Sequence, residues 1–233
     1  MIAIRRADEI YHKEGGWFSA RWHFSFDEYY DPDNMGFGTM RVFNDDRLIP
    51  GAVWPMHPHR DVEGLTYVVE GTFKHEDSLG NDGVLPAGSV QRMTLGSGAQ
   101  HSEQNGSQSE PIRFIQIWIM PHKRGLPPSV EQRVFTCEDR TNRLLRAIAP
   151  VGTAGAVGVH QDASLYVSRL DAGRSLTHEF ADGWGGYVYV IEGDVSLNSE
   201  RLTTGDAARI SGESHLQIAA AQTSELIMVE VEV

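Results

Sequence analysis

Short runs of β-branched and aromatic residues recur along the chain, separated by polar and glycine-bearing breaks. The clearest are Thr39–Phe43, Leu65–Val69, Arg113–Met120, Ser164–Leu170, Tyr187–Ile191 and Leu226–Val233. No stretch sustains a helical period, and strands need only a few such residues between turn signals. The pattern predicts an all-β protein built from antiparallel sandwich or barrel units with few short helices. Two helices are expected, one after Ser25-Phe26-Asp27 and one near Ser129-Val-Glu-Gln-Arg. The stretch Trp17–Phe43 is rich in aromatic residues and is expected to pack against the first barrel.

The runs are not independent, because one unit occurs twice. Tyr67-Val-Val-Glu-Gly71 recurs as Tyr189-Val-Ile-Glu-Gly193. His57 lies 13 residues before Glu70, and His178 lies 14 before Glu192. Each copy is followed by a turn glycine (Gly88; Gly205) and then by another histidine (His101; His215). Marks in the same order in both halves indicate a duplicated β unit. The segment Pro121–Pro128 begins the connection, so the lobes are expected at 1–125 and 126–233, with residues 130–160 crossing between them.

Composition narrows the chemistry. The 233 residues carry a net charge of -12, a field that repels a phosphate backbone and argues against direct nucleic-acid binding. The charged N-terminus lacks the apolar stretch of a signal peptide, and no long apolar run predicts a membrane span, so a cytosolic location is expected. Cys137 is the only cysteine, which excludes an internal disulfide and a thiolate cluster. Imidazole and carboxylate remain as candidate metal ligands.

His57-Pro58-His59 places two imidazoles at i and i+2, on one face of a strand. His101-Ser102-Glu103 repeats that spacing 42 residues after His59. Two such strands side by side would aim three imidazoles and a carboxylate at one point. That donor set suits Fe, Mn, Co, Ni, Cu or Zn, and leaves positions open on a metal that prefers six ligands. Glu63 shares the parity of His57 and His59, so an unbroken strand would aim it inward as well, as a ligand or as an acceptor for a ligating imidazole. The residues alone leave Glu63 and Glu103 both open. In the second copy, spacing matches His178 and Phe180 to the first pair, and His215 and Gln217 to the second. Two of four ligands are missing there, so the second lobe is expected to hold no metal. His12, His23, His75, His122 and His160 have no partner spacing and read as structural or surface residues. Met56, Thr66 and Trp118 are candidates for the pocket or for plain core.

These residues resemble the cupin superfamily. Its first motif is matched by Gly51, His57, His59 and Glu63, and its second by Gly80, Pro86, Gly88, His101 and Asn105, with a lengthened gap between Gly88 and His101. That gap is characteristic of pirin and pirin-like bicupins. His23-Phe-Ser-Phe, Tyr30-Asp-Pro, Met35-Gly-Phe, Asn44-Asp-Asp, Glu70-Gly71 and Gln116-Ile-Trp-Ile extend the resemblance over most of the chain. It implies a bicupin with metal in the N-terminal lobe only, held by His57, His59, His101 and Glu103, with iron as the first expectation among divalent transition metals. The likeness is greatest to bacterial pirin-like quercetin 2,3-dioxygenases. It implies a small aromatic flavonol and O2 as substrates, with Glu103 as general base. Other pirins are regulators that bind proteins, so the resemblance also implies an alternative: a non-enzymatic, metal-dependent regulatory or redox-sensing protein with a protein partner.

Overall fold

The apolar runs become strands in the computed structural model, which describes residues 1–233. In the first half these are β1 (Ile2–Arg5), β2 (Tyr11–Glu14), β3 (Phe18–Trp22), β4 (Met40–Leu48), β5 (Val53–His59), β6 (Glu63–Glu70), β7 (Thr72–Asp77), β8 (Asp82–Pro86), β9 (Ser89–Thr94), β10 (Ala99–Asn105), β11 (Ile112–Ile119) and β12 (Ser129–Val134). After a single turn of helix, α1 (Cys137–Arg140), come β13 (Leu145–Pro150), β14 (Val157–Val159), β15 (Ala163–Leu170), β16 (Ser175–Glu179), β17 (Trp184–Glu192), β18 (Asp194–Leu197), β19 (Glu200–Thr203), β20 (Ala207–Ser211), β21 (His215–Ala220) and β22 (Ser224–Glu232).

Each lobe sets a seven-stranded sheet against a four-stranded one. The first lobe has β12-β9-β6-β11-β4-β3-β2 and β5-β10-β7-β8; the second has β1-β20-β17-β22-β15-β13-β14 and β16-β21-β18-β19. The small sheets repeat the same order, which is the duplication inferred from the sequence. Pairing is antiparallel except between β13 and β14. No backbone ladder joins the two sheets of a lobe, so neither lobe is a closed barrel.

The seven-stranded sheets pack face to face. Side chains alternate across a strand, so Ile115, Ile117 and Ile119 of β11 and Tyr187, Tyr189 and Ile191 of β17 enter one 26-residue core between the lobes. The intervening Val188 and Val190 point into the second lobe's own interior. This double burial explains why the central strands read as nearly continuous apolar runs. The glycine closing each repeated motif has a conformational reason. Gly71 (φ 79°) and Gly193 (φ 112°) sit in left-handed turns where a Cβ would lie 2.6 Å from the Pro111 carbonyl oxygen and 2.2 Å from Ser224 Oγ.

Three expectations need correction. Ser129–Arg133 forms β12, an edge strand paired with β9, and not a helix. Val130 packs beside Met93 and Gln132 donates to Gln91 of β9, so sheet pairing overrides local helix signals. The turn after Ser25 is not helical either: Asp27 has φ 48°, and Phe26 bridges back to Tyr29. The lobes also exchange arms across the expected division at 125/126, because β1 pairs with β20 of the second lobe and β12 stays with the first.

The seam is polar at a few points. Arg113 donates Nε and Nη2 to the two carboxylate oxygens of Asp45 at 2.9 and 2.7 Å, and the Tyr189 hydroxyl donates to Asp45 at 2.6 Å. Burial alone would raise the Asp45 carboxyl, but Arg113 and Tyr189 outweigh it and hold it below the ordinary range. His23 lies wholly buried with Nδ1 2.7 Å from the Tyr187 hydroxyl.

Candidate metal centre

β5 and β10 are antiparallel neighbours, and their register sets His101 directly opposite His57. His57 and His59 share a face of β5 by the two-residue strand period. The three imidazoles converge, with one ring nitrogen from each lying within 4.8 Å of the others. They are the only group of three or more His, Cys, Asp or Glu side chains that close. The ladder is irregular between His101 and Glu103, so Glu103 faces Trp54 and the chain bulges at Pro55 and Met56. A bulge beside a site re-aims side chains, and proline, which donates nothing to a ladder, fits one. The Pro55 carbonyl accepts from His57 Nδ1 at 2.7 Å, fixing that tautomer and leaving Nε2 as the free lone pair.

The donor chemistry fits a metal ion. His101 is buried, yet neither of its ring nitrogens has a hydrogen-bond partner. An unpartnered buried imidazole is costly unless something takes its lone pair. Burial, reinforced by the neighbouring imidazoles, lowers His101 to about 3; burial and then His57 lower His59 to about 4. Both rings are neutral at physiological pH, which is the form that ligates.

Glu103 is not within the same distance of all three imidazoles. It stands on the same cavity wall, buried, with Oε1 accepting from Gln116 Nε2 at 2.7 Å. Gln116 is oriented in turn by Thr66, whose hydroxyl donates to Gln116 Oε1 at 2.7 Å. Burial raises the Glu103 carboxyl to about 7, against the opposing effect of the Gln116 hydrogen bond. A nearby dication would favour the ionised form.

Glu63 does not join the cluster. The chain breaks between β5 and β6 at Asp61 (φ 55°), so the parity that linked Glu63 to His57 is lost. Glu63 is fully buried at the lobe seam, where Oε2 accepts from Thr94 Oγ1 at 3.1 Å and from the His160 backbone at 3.3 Å. His160, read from sequence as unattached, is thus part of the inter-lobe contact. His75 is also buried beside the site, between Asp77 (3.0 Å) and Gln91 (3.3 Å), with its ring centroid 5.8 Å from that of His101.

The second lobe differs in register from the sequence comparison. His178 faces Leu216, and it is Glu179 that faces His215. The inward positions opposite β16 are therefore Leu216 and Ile218, both fully buried, while His215 is exposed and paired with Glu179. His178 lies 3.4 Å from Glu230 and against Tyr166.

His57 and His59 open into a cavity of about 670 Å³. Its walls carry Phe18, Trp22, Phe26, Trp54 and Trp118, with His57, His59, Glu103, Gln116, Asn44, Asp46 and Asp27 as the polar groups. Trp118 and Met56 line it, while Thr66 acts through Gln116. Asn44 and Asp46 belong to the Asn44-Asp-Asp stretch of the family resemblance, but the sequence assigned them no role in the site. Burial pushes the Asp46 carboxyl well above its ordinary range, with the charges of Glu103 and Asp45 adding to the effect.

Comparison with known proteins agrees with this architecture. A family model described as Pirin matches residues 4–119, and one described as Quercetinase C-terminal cupin domain matches residues 147–231. The chain is 40% identical to a quercetin 2,3-dioxygenase of Escherichia coli K12 over 99% of both chains. It is 38% identical to a pirin-like protein of Caulobacter vibrioides, again over 99% of both. The crystal structure of the bacterial pirin YhhW from Escherichia coli in complex with nickel(II) superposes with a TM-score of 0.94 at 38% identity, covering 100% of this chain and 99% of that one. With its two cupin lobes, its imidazole cluster and full-length relatives of this kind, the chain belongs to the pirin family.

Proposed function

We propose that the chain is a metal-dependent dioxygenase that opens the ring of flavonols such as quercetin with O2, at one divalent transition metal held by His57, His59, His101 and Glu103. The observation that carries the reading is the aromatic-walled cavity with His57, His59 and the buried Glu103 carboxyl on its inner surface and His101 closing the imidazole cluster beside them. The names of the full-length relatives support the same activity. A bound dication supplies Lewis acidity that lowers the pKa of a substrate hydroxyl. Glu103 would take the hydroxyl proton; burial raises its carboxyl to about 7 in the metal-free protein, and a bound dication would draw it back toward the ionised form that accepts a proton. Gln116 holds Glu103 at the cavity wall through Oε1, so Oε2 is the atom that would ligate the metal and, on leaving it, take the proton. Trp22, Phe26 and Trp118 offer flat apolar surface to an aromatic ligand and exclude water from it. A cytosolic setting fits the single cysteine and the nitrogen and oxygen donor set, and cell fractionation tests it.

The test is loss of the visible absorbance of quercetin in air, with protein loaded separately with Fe, Mn, Co, Ni and Cu. Turnover is expected with at least one metal. Its absence in fully loaded protein would overturn the reading and favour a regulatory role through protein partners.

A further inference from the structure

Strand β4 buries three consecutive polar residues, Asn44, Asp45 and Asp46, at 3%, 5% and 4% exposure. Their hydrogen bonding differs by face. Asp45 points to the lobe seam and is saturated by Arg113 and Tyr189. Asn44 and Asp46 point the other way, into the wall of the cavity, where Asn44 faces Gln116 across the ladder. The side-chain oxygens Asn44 Oδ1 and Asp46 Oδ1 are buried and have no partner in the protein. Buried polar groups without partners are rare, and each lowers stability unless a ligand completes it. Neither residue belongs to the imidazole cluster. Polar groups set among aromatic side chains are the arrangement that fixes orientation and selectivity in small-molecule sites, and Asn44 and Asp46 are the two that β4 contributes to this wall.

We propose that Asn44 and Asp46 form a second recognition point, hydrogen-bonding a phenolic hydroxyl of the substrate away from the metal-facing end, and so select polyhydroxylated flavonols over unsubstituted ones. The inference rests on the flavonol reading above. A turn about the terminal torsion of either side chain presents an acceptor oxygen to such a hydroxyl, and the Asn44 amide can also donate.

The test compares quercetin with 3-hydroxyflavone, which keeps the 3-hydroxy-4-keto unit and lacks the other hydroxyls. Each is titrated without oxygen into metal-loaded wild type, Asn44→Leu, Asp46→Leu and Asp46→Asn, following quenching of the cavity tryptophans. Each leucine variant should bind quercetin about tenfold more weakly, the equivalent of about 1.4 kcal/mol. The affinity for 3-hydroxyflavone should not change, and Asp46→Asn should recover part of the loss. Metal content should hold, and thermal midpoints should stay level or rise, because each leucine removes an unpartnered polar group. Equal weakening of both ligands, no weakening, loss of metal, or a lower midpoint in all three variants would overturn the inference. Turnover is scored separately, so a protein that binds quercetin selectively without oxidising it would refute the dioxygenase reading alone.

Discussion

Where β21 turns Leu216 and Ile218 into the second lobe, β10 turns His101 and Glu103 into the first. The small sheets run in the same order, yet the interiors they cover differ. The second lobe holds a cluster of 14 buried apolar residues, among them Phe180, Val188, Leu202 and Met228. The first holds two smaller clusters, of six and four residues, at its ends. Between them lie His75, Gln91, Thr66, Gln116, Glu103, Asn44 and Asp46, all buried. One copy of the unit has a packed core and the other has a polar-lined cavity. Both are carried by the shared apolar seam, and that support lets the first lobe give up core for a site.

The contrast can be broken most directly at the matched positions. Leu216→Ala should cost about 2–5 kcal/mol of unfolding free energy, as for a fully buried leucine in a tight core. His101→Leu in metal-free protein should cost nothing or stabilise, because it replaces an unpartnered buried imidazole with an apolar side chain of similar size. Denaturant titration of both variants decides, and equal destabilisation would remove the distinction between the lobes.

Metal affinity should divide the lobes in the same way. His57→Ala or His101→Ala should weaken binding by on the order of 100-fold or more, judged against the lesser cost of changing groups that merely orient ligands. His178→Ala and His215→Ala should leave metal content unchanged, which elemental analysis of the purified variants measures. Retained metal in the first pair, or loss in the second, would reverse the assignment. Gln116→Leu should lower turnover or metal affinity by about 10- to 100-fold while the fold persists, because it frees the carboxylate that Gln116 holds. Wild-type kinetics in that variant would remove Gln116 from the site.

The acid response is the gentlest probe. Burial lowers His23 at the seam to about 3 from 6.5. The unfolded chain therefore binds this proton first. The stability associated with neutral His23 is complete above pH 6.5 and is lost as pH falls toward about 3. The slope is about 1.4 kcal/mol per pH unit for one proton. His59 and His101 add the same sign in metal-free protein. His23→Gln should flatten unfolding free energy between pH 6.5 and 4, and unchanged slopes would show that His23 does not govern the acid limb.

Much of the site was legible because strand geometry converts spacing into direction. His57 and His59, two apart, had to share a face, and the duplicated motif marked the lobes. The errors arose where pairing overrides spacing. Glu63 kept the parity of His57 in sequence, but the turn at Asp61 moved it to another sheet and to the seam. His215 matched His101 by order, but the β16–β21 register places Leu216 opposite His178. Ser129–Arg133 read as a helix until β9 offered it an edge.

The sequence by itself determined the all-β class, the duplication, and the histidines that could meet a metal, because these follow from side-chain alternation and local residue chemistry. The tertiary structure decided which strands become neighbours. That choice separates Glu63 from Glu103, saturates Asp45, and leaves Asn44 and Asp46 unpartnered in the cavity wall. Hydrogen-bond saturation depends on groups distant in sequence, so it became visible only once β4 lay beside β11 and across from the imidazoles.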